Sequence, residues 1–303
     1  MTPQQLHIPV LLDEVIELLA PQRGESYLDL TVGYGGHAKA IIERTGAPKQ
    51  ATLADRDQNA IREIKSVAFV NGARFLHSDF LAAAKELCAK GERYDMILMD
   101  LGVSSPQLDT PKRGFSFSAS APLDMRMDES QSRTAAEIIN RSSEKDLADI
   151  IMTFGEENPK LARKIAHAVR IHRPVRTTTE LADIITGEVG RRGKIHPATK
   201  TFQAIRIAVN DELRQLEETL PLLPELLNPG GRLAIISFHS LEDRLVKRFL
   251  SEHAEAGYEA DLRLLTKKPV IASATELVNN PRARSAKLRA AVKQTAAPIS
   301  PFG

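Results

Sequence analysis

Apolar residues in the first hundred positions follow two alternating spacings. Short, nearly continuous apolar runs recur at 26–30, 50–54, 73–77 and 94–100, as expected of strands covered on both faces. Between them, helical spacing occupies 36–44, 58–65 and 81–89, with Asp57 placed to cap the second. This alternation predicts βαβ units with right-handed crossovers and a doubly wound α/β sheet.

The pattern changes after Asp100. Positions 101–133 are rich in Gly, Pro, Ser and charge, and so long a stretch without periodicity predicts a mobile functional segment. Helices follow at 134–140, 144–154, 159–172 and 180–188. Asn158-Pro159 and the Ser143/Asp146 pair supply start signals. A long helix is predicted from about 198 to 220. The α/β pattern resumes at Gly230-Gly231 with a strand at 232–238, then a helix capped by Ser240 with Asp243 three residues on. Strands at 262–265 and 286–292 read as an antiparallel edge. The expected organisation is a sheet domain in two parts, 1–107 and 215–303, interrupted by a helical insertion at 108–214.

The first strand runs straight into Thr31-Val-Gly-Tyr-Gly-Gly-His37, and Asp55 closes the second strand. Gly33, Gly35 and Gly36 allow positive φ and close approach of backbone to a ligand. A carboxylate at position 55 can accept both hydroxyls of a ribose. This much fits a dinucleotide or S-adenosylmethionine. Asp29, two residues before Thr31, would repel a pyrophosphate but suits a ligand that carries an ammonium and a sulfonium. An NAD-linked oxidoreductase would share the glycines and Asp55, yet gives Asp29 no role. Asp79-Phe80 and Asp100 follow the third and fourth strands, also at carboxyl ends, where ligands bind in such sheets. Phe80 offers a flat face for adenine, or else packs at a helix start. His37 reads as a helix-start residue, and His239 as a substrate contact or a local cap.

Composition narrows the class. The 303 residues are 42% apolar and 26% charged, ordinary for a globular protein. No apolar run reaches membrane-spanning length, and no basic flank leads an apolar run at the N-terminus. No membrane association is therefore expected, and a cytoplasmic location is. Cys88 is the only cysteine, which excludes an intramolecular disulfide and a cysteine metal cluster and suits a small core residue. The histidines and acids show no metal-ligand spacing, so no structural metal is expected. Net charge is +2, but positions 158–206 hold eleven Lys and Arg against three acids, a local excess of +8 that includes Arg191, Arg192 and Lys194. Such an excess marks a surface for a polyanion.

Several longer motifs occur in order along the chain. They are His7-Ile-Pro-Val-Leu-Leu-Asp-Glu14, Gly35-Gly-His37, Asp100-Leu-Gly-Val-Ser-Ser-Pro-Gln107, Arg113-Gly-Phe-Ser-Phe117 and Pro122-Leu-Asp-Met-Arg-Met-Asp128. Ser237-Phe-His-Ser-Leu-Glu-Asp-Arg244 and Asn280-Pro-Arg-Ala-Arg-Ser-Ala-Lys-Leu-Arg289 complete the set. Together they resemble the bacterial ribosomal RNA small-subunit methyltransferase H family, also called MraW. The resemblance implies a class I methyltransferase sheet with an inserted substrate-recognition domain. It further implies methyl transfer from S-adenosylmethionine to N4 of a cytosine in the decoding region of 16S ribosomal RNA, with the small ribosomal subunit as partner. By the same resemblance Gly35, Gly36, His37, Asp55, Phe80, Asp100 and Gln107 would contact the cofactor.

The residues themselves add expectations. An amine lone pair delocalised into a ring is a weak nucleophile, so the site needs a hydrogen-bond acceptor to hold it toward the methyl group. Asp100 is the candidate catalytic acceptor, with Ser104 and Ser105 next in line. Stacking on the base is expected from Phe115 or Phe117, with Arg113 and Gly114 completing a mobile clamp. Two other readings share parts of this pattern: a DNA cytosine-N4 methyltransferase, and an RNA-binding assembly factor that keeps a nucleotide fold without catalysis.

Overall fold

The computed structural model describes residues 9–190, 196–255 and 260–295. The chain forms two compact units, one comprising Met1–Gly102 and Arg214–Gly303, the other Val103–Leu213.

The first unit is built on seven strands: β1 (Tyr27–Asp29), β2 (Ala51–Asp55), β3 (Arg74–His77), β4 (Tyr94–Asp100), β5 (Leu227–Ser237), β6 (Leu262–Leu264) and β7 (Lys287–Lys293). Their order is β3-β2-β1-β4-β5-β7-β6. The first five strands are parallel, and β7 runs antiparallel to both neighbours. This is an open sheet of five parallel strands extended by an antiparallel pair, and the doubly wound α/β expectation holds. β6 forms the edge, with β7 inside it.

Side chains on successive strand positions go to opposite faces. Leu28, Ile97 and Met99 enter one apolar cluster; Tyr27, Met96 and Leu98 enter the other. Helices α1 (Leu12–Leu19), α2 (Gly36–Thr45) and α3 (Gln58–Ile64) supply the second cluster through Val15, Ile41 and Ile61. Helix α4 (Phe80–Ala89) covers the first through Ala83, Ala84 and Leu87. Both faces are sealed, so the strands are continuous apolar runs rather than alternating ones. Truncating a fully buried residue such as Ile97 to Ala would cost about 2–5 kcal/mol.

The second unit is helical: α5 (Ser105–Asp109), α6 (Ala135–Arg141), α7 (Glu144–Phe154), α8 (Pro159–Ile171), α9 (Thr178–Val189) and α10 (Thr199–Asn210). Its core includes Leu123, Met125, Ile138, Ile151, Ile165, Leu181 and Phe202. Thr134, Ser143, Asn158 and Thr177 cap α6 to α9, and Thr177 forms a capping box with Glu180. That box starts α9 two residues earlier than periodicity alone predicts.

Three expectations are corrected. The single helix from 198 to 220 is broken at Asp211, which takes the left-handed conformation (φ 54°); α11 (Glu212–Thr219) begins after it. The amide of Asn210 is committed at the break: Nδ2 donates to the Met125 carbonyl, and Oδ1 accepts from the Met127 N–H. β5 starts five residues early and takes in Gly230-Gly231. A Cβ on Gly231 would lie 2.8 Å from the Asn228 oxygen and 3.0 Å from that of Tyr94, so glycine marks close backbone packing beside an irregular register. Finally, α12 (Ser240–Glu255) begins at Ser240 itself, one residue earlier than a Ser240 cap implies, and His239 stands ahead of it with its Nδ1 accepting the Glu242 N–H at 3.3 Å. Glu242 accepts from the Phe238 and His239 N–H groups at 2.8 and 3.2 Å, and Asp243 instead binds Lys287 and Arg289. The last helix is α13 (Ala274–Asn279). Cys88 is half-buried against the first cluster.

Candidate active site

Parallel strands β1, β2 and β4 are neighbours, so the residues that end them meet at one edge of the sheet. The residues are all acidic: Asp29, Asp55 and Asp100. The first two are held by nearby donors. Tyr27 Oη donates to Asp29 Oδ2 at 2.6 Å, and the Thr31 N–H donates to Oδ1 at 3.1 Å. Asp55 accepts from the Gly33 N–H at 2.7 Å and the Asp57 N–H at 2.8 Å, one on each oxygen. Thr31 also accepts the Asp100 N–H on its hydroxyl at 2.6 Å, tying the ends of β1 and β4 together.

Asp100 is held differently. Its Oδ1 is buried with no hydrogen-bond partner among the described residues, although 28% of the side chain reaches solvent. Its Oδ2 lies 3.6 Å from Nδ1 of His37, whose Nε2 sits 2.9 Å from the Val10 carbonyl. Burial, with the charges of Asp29 and Glu242 added, pushes the Asp100 carboxyl up to about 8. Burial raises Asp29 to about 7, against the hydrogen bond from Tyr27. It raises Asp55 to about 6, against the two backbone donors. Acids strained toward neutrality at one sheet edge form a receptor for a cation.

The turn above them is shaped by glycine. Gly35 has φ +82°, and a Cβ there would lie 2.5 Å from the Ile64 side chain. A Cβ on Gly36 would lie 2.6 Å from Pro9 Cγ. The turn therefore closes against both neighbours while leaving its backbone at the acidic edge, as a nucleoside ligand requires. His37 is buried in the first turn of α2. Phe80 opens α4, half-buried on the apolar cluster, and Asp79 is that helix's N-cap, accepting the Ala82 N–H. The buried Ser78 hydroxyl beside them has no hydrogen-bond partner among the described residues.

A cavity of about 320 Å3 opens at the carboxyl end of β5, lined by Phe238, His239, Ile271, Arg284 and Lys287 among others. Phe238 also reaches the Asp100 side of the sheet, since a Cβ on Gly102 would touch its ring at 3.5 Å. Sequence pattern does not single out Phe238, Tyr27, Thr31 or Glu242. Only Thr31, two residues after Asp29, carries a local signal.

Within the helical unit, Gln107 is buried and closes a capping box with Ser104, its amide oxygen accepting the Ser104 N–H at 3.0 Å. The mobile clamp expected at Arg113 and Phe115 is corrected. The Arg113 guanidinium donates to the Arg126 and Met127 carbonyls at 2.9 Å and pairs with Glu129. Phe115 is a core residue, 8% exposed. A Cβ on Gly114 would come within 2.4 Å of the Pro122 oxygen, so this glycine serves packing. Phe117 lies against His196 and Phe202. Part of the basic excess is internal: Arg206 pairs with Glu212 through two nitrogens, and Arg173 donates to the Ile139 and Ser142 carbonyls. Lys160, Arg163 and Arg176 are exposed. Arg191, Arg192 and Lys194 lie outside the described residues.

The chain is similar to known proteins over nearly its whole length. The model of the MraW methylase family matches residues 4–294. A protein of Cyanothece sp. called ribosomal RNA small subunit methyltransferase H is 50% identical over 295 residues, 96% of each chain. Proteins of the same name from Synechocystis sp. (49%, covering 95% and 93% of the two chains) and Koribacter versatilis (46%, 95% and 94%) are similar throughout.

Proposed function

The chain belongs to the MraW methylase family, and from that premise we propose that it methylates N4 of a cytosine in the decoding region of 16S ribosomal RNA, using S-adenosylmethionine. Membership makes it a methyltransferase of small-subunit ribosomal RNA. The finer assignment rests on one observation above all: an acidic edge at which the Asp100 carboxylate keeps one buried oxygen unpartnered among the described residues.

The residues fit this cofactor on chemical grounds. Asp29 and Asp100 match its positive charges, Asp55 its ribose hydroxyls, Phe80 its adenine, and Gly33, Gly35 and Gly36 the close backbone approach. Gln107 joins them through the family resemblance. When bound, the cofactor supplies an electrophilic methyl group on a sulfonium.

What the protein contributes is alignment and charge. Oδ1 of Asp100 accepts an N4 hydrogen and turns the lone pair toward the methyl group. A methylated amine would have a proton to lose, and Asp100 would be the acceptor at hand. A carboxyl with its affinity for protons raised is suited to the task. The cavity beside Phe238 has the aromatic wall and basic rim that an unstacked nucleotide needs. The helical unit grips RNA through phosphates, using exposed cations such as Lys160, Arg163 and Arg176 together with Arg191, Arg192 and Lys194. No helix among the described residues is long and apolar enough to cross a membrane, and a cytoplasmic enzyme acting on the small ribosomal subunit is the consistent picture.

The test is transfer of labelled methyl to free 16S RNA and to small subunits, followed by nucleoside mapping. Label on N4-methylcytidine at one decoding-region site is expected; label on another atom or base overturns the finer assignment. Alanine at Arg191, Arg192 and Lys194 should flatten the dependence of log affinity on log salt by roughly one unit for each phosphate no longer neutralised. An unchanged slope with abolished methylation would place them outside RNA binding.

A further inference from the structure

His37 is buried at the start of α2, with one ring nitrogen toward a backbone carbonyl and the other toward Asp100. Its Nε2 is 2.9 Å from the Val10 carbonyl. A carbonyl oxygen only accepts, so Nε2 carries the hydrogen. In the neutral ring Nδ1 is then bare, and Nδ1 is the atom that faces Asp100, 3.6 Å from Oδ2. Among the described residues, Asp29 and Tyr27 from β1 and Glu242 from α12 also act on that carboxyl, and the Tyr27 hydroxyl is committed to Asp29 Oδ2 at 2.6 Å. His37 is thus the group able to share a proton with it from this side.

From this geometry we propose that His37 is the positioning residue of Asp100: the Val10 carbonyl fixes its tautomer, and the bare Nδ1 holds Oδ2, leaving Oδ1 for the substrate amine. The role rests on the proposed function and extends it, because the resemblance assigns His37 only to the cofactor. One proton serves the pair. Whether it sits on Oδ2 or on Nδ1, it lies between the same two atoms, 3.6 Å apart in the cofactor-free protein, and the attraction between them keeps the carboxyl plane in its direction. The arrangement also gives Val10 a purpose. The Leu11 N–H donates to Glu276 Oε1 at 2.7 Å, and Pro9 rests on Gly36, so the 9–11 segment is anchored on both sides of the carbonyl that sets the tautomer.

Two measurements test this. The first is the imidazole 15N spectrum of the cofactor-free protein, with the His37 signals assigned by their disappearance in His37→Gln. The expected result is hydrogen on Nε2, with an Nδ1 signal that moves in Asp100→Asn. Hydrogen on Nδ1 in the neutral ring, or no response to Asp100→Asn, overturns the proposal. If His37→Gln fails to fold, comparing wild type with Asp100→Asn still decides. The second is a double-mutant cycle on methyl transfer. His37→Gln should lower kcat about tenfold, the scale for two directly coupled residues, with donor KM within about twofold. In an Asp100→Asn background it should cost nothing more. Additive losses, or a rise in donor KM alone, overturn the role. The spectrum needs no substrate, so a protein that failed to methylate ribosomal RNA would sink the functional reading while leaving the pair testable by itself.

Discussion

Asp100→Asn should stabilise the cofactor-free protein while removing most of its activity. The folded carboxyl sits at about 8 instead of its ordinary 3.8, mainly because burial disfavours the charged form. The raised value means that this group favours folding most below pH 3.8, and that the advantage is lost as pH rises toward 8. At about 1.4 kcal/mol per tenfold, the full loss is about 6 kcal/mol. With 28% of the side chain in solvent, screening reduces it to roughly 2–4 kcal/mol. Asparagine has nearly the same shape and never ionises. The difference in unfolding free energy, variant minus wild type, should therefore be small near pH 4, grow through pH 5 to 8, and level off above 8. Urea melts of both proteins at pH 4.5, 6, 7.5 and 9 would show it. Methyl transfer should fall by about two orders of magnitude or more, the scale for losing a positioned proton acceptor. A difference independent of pH, or a variant less stable than wild type at pH 9, would refute the claim that this carboxylate is buried at a cost to the fold.

Three further outcomes follow from the same edge and from the helical unit. Asp55→Ala should weaken S-adenosylmethionine binding by about 1.5–3 kcal/mol for each hydrogen bond removed from the charged group; calorimetry showing unchanged affinity in a folded variant would remove Asp55 from the site. Binding the cationic cofactor should release protons near pH 7, because carboxyls held at about 8 and about 7 must ionise. Heats measured in buffers of different ionisation enthalpy should diverge at pH 7 and converge above pH 9, and identical heats at pH 7 would contradict it. Gly114→Ala should destabilise the protein by about 1–3 kcal/mol through strain at φ +73° and collision with the Pro122 oxygen; an unchanged melting temperature would show that the segment can relax.

Much of the first unit is legible in the sequence because its signals are local. A strand buried on both faces is an apolar run, and β4 reads residue for residue as Tyr94–Asp100. The gathering of Asp29, Asp55 and Asp100 is also legible, since each ends a strand and β1 lies between β2 and β4. What escapes depends on distant partners. The break at Asp211 goes with an amide bonded to Met125 and Met127, more than eighty residues away. Arg113-Gly-Phe115 looks like an exposed loop until the carbonyls of 126 and 127 and the apolar core of the helical unit enclose it. At the start of α12, Ser240 has the preferred cap chemistry, yet it is already the first helical residue; His239 ahead of it accepts the Glu242 N–H on Nδ1, and the buried Glu242 carboxylate reaches back to the Phe238 and His239 N–H groups.

The same contrast explains why the acids are there. Asp29 draws hydrogen bonds from Tyr27 and Thr31, and Asp55 from Gly33 and Asp57, onto carboxylates that burial would otherwise neutralise. Apolar or amide residues at these strand ends would fold with less opposition. A fold that keeps three such groups at one edge, with Oδ1 of Asp100 buried without a partner among the described residues, gives up stability for a function. A cation at the edge stabilises every ionised carboxylate together and so reverses the cause of their raised proton affinities. The ligand thereby relieves the strain that the acids impose on one another, and its binding is coupled to the protonation state of the group proposed to receive the amine's proton.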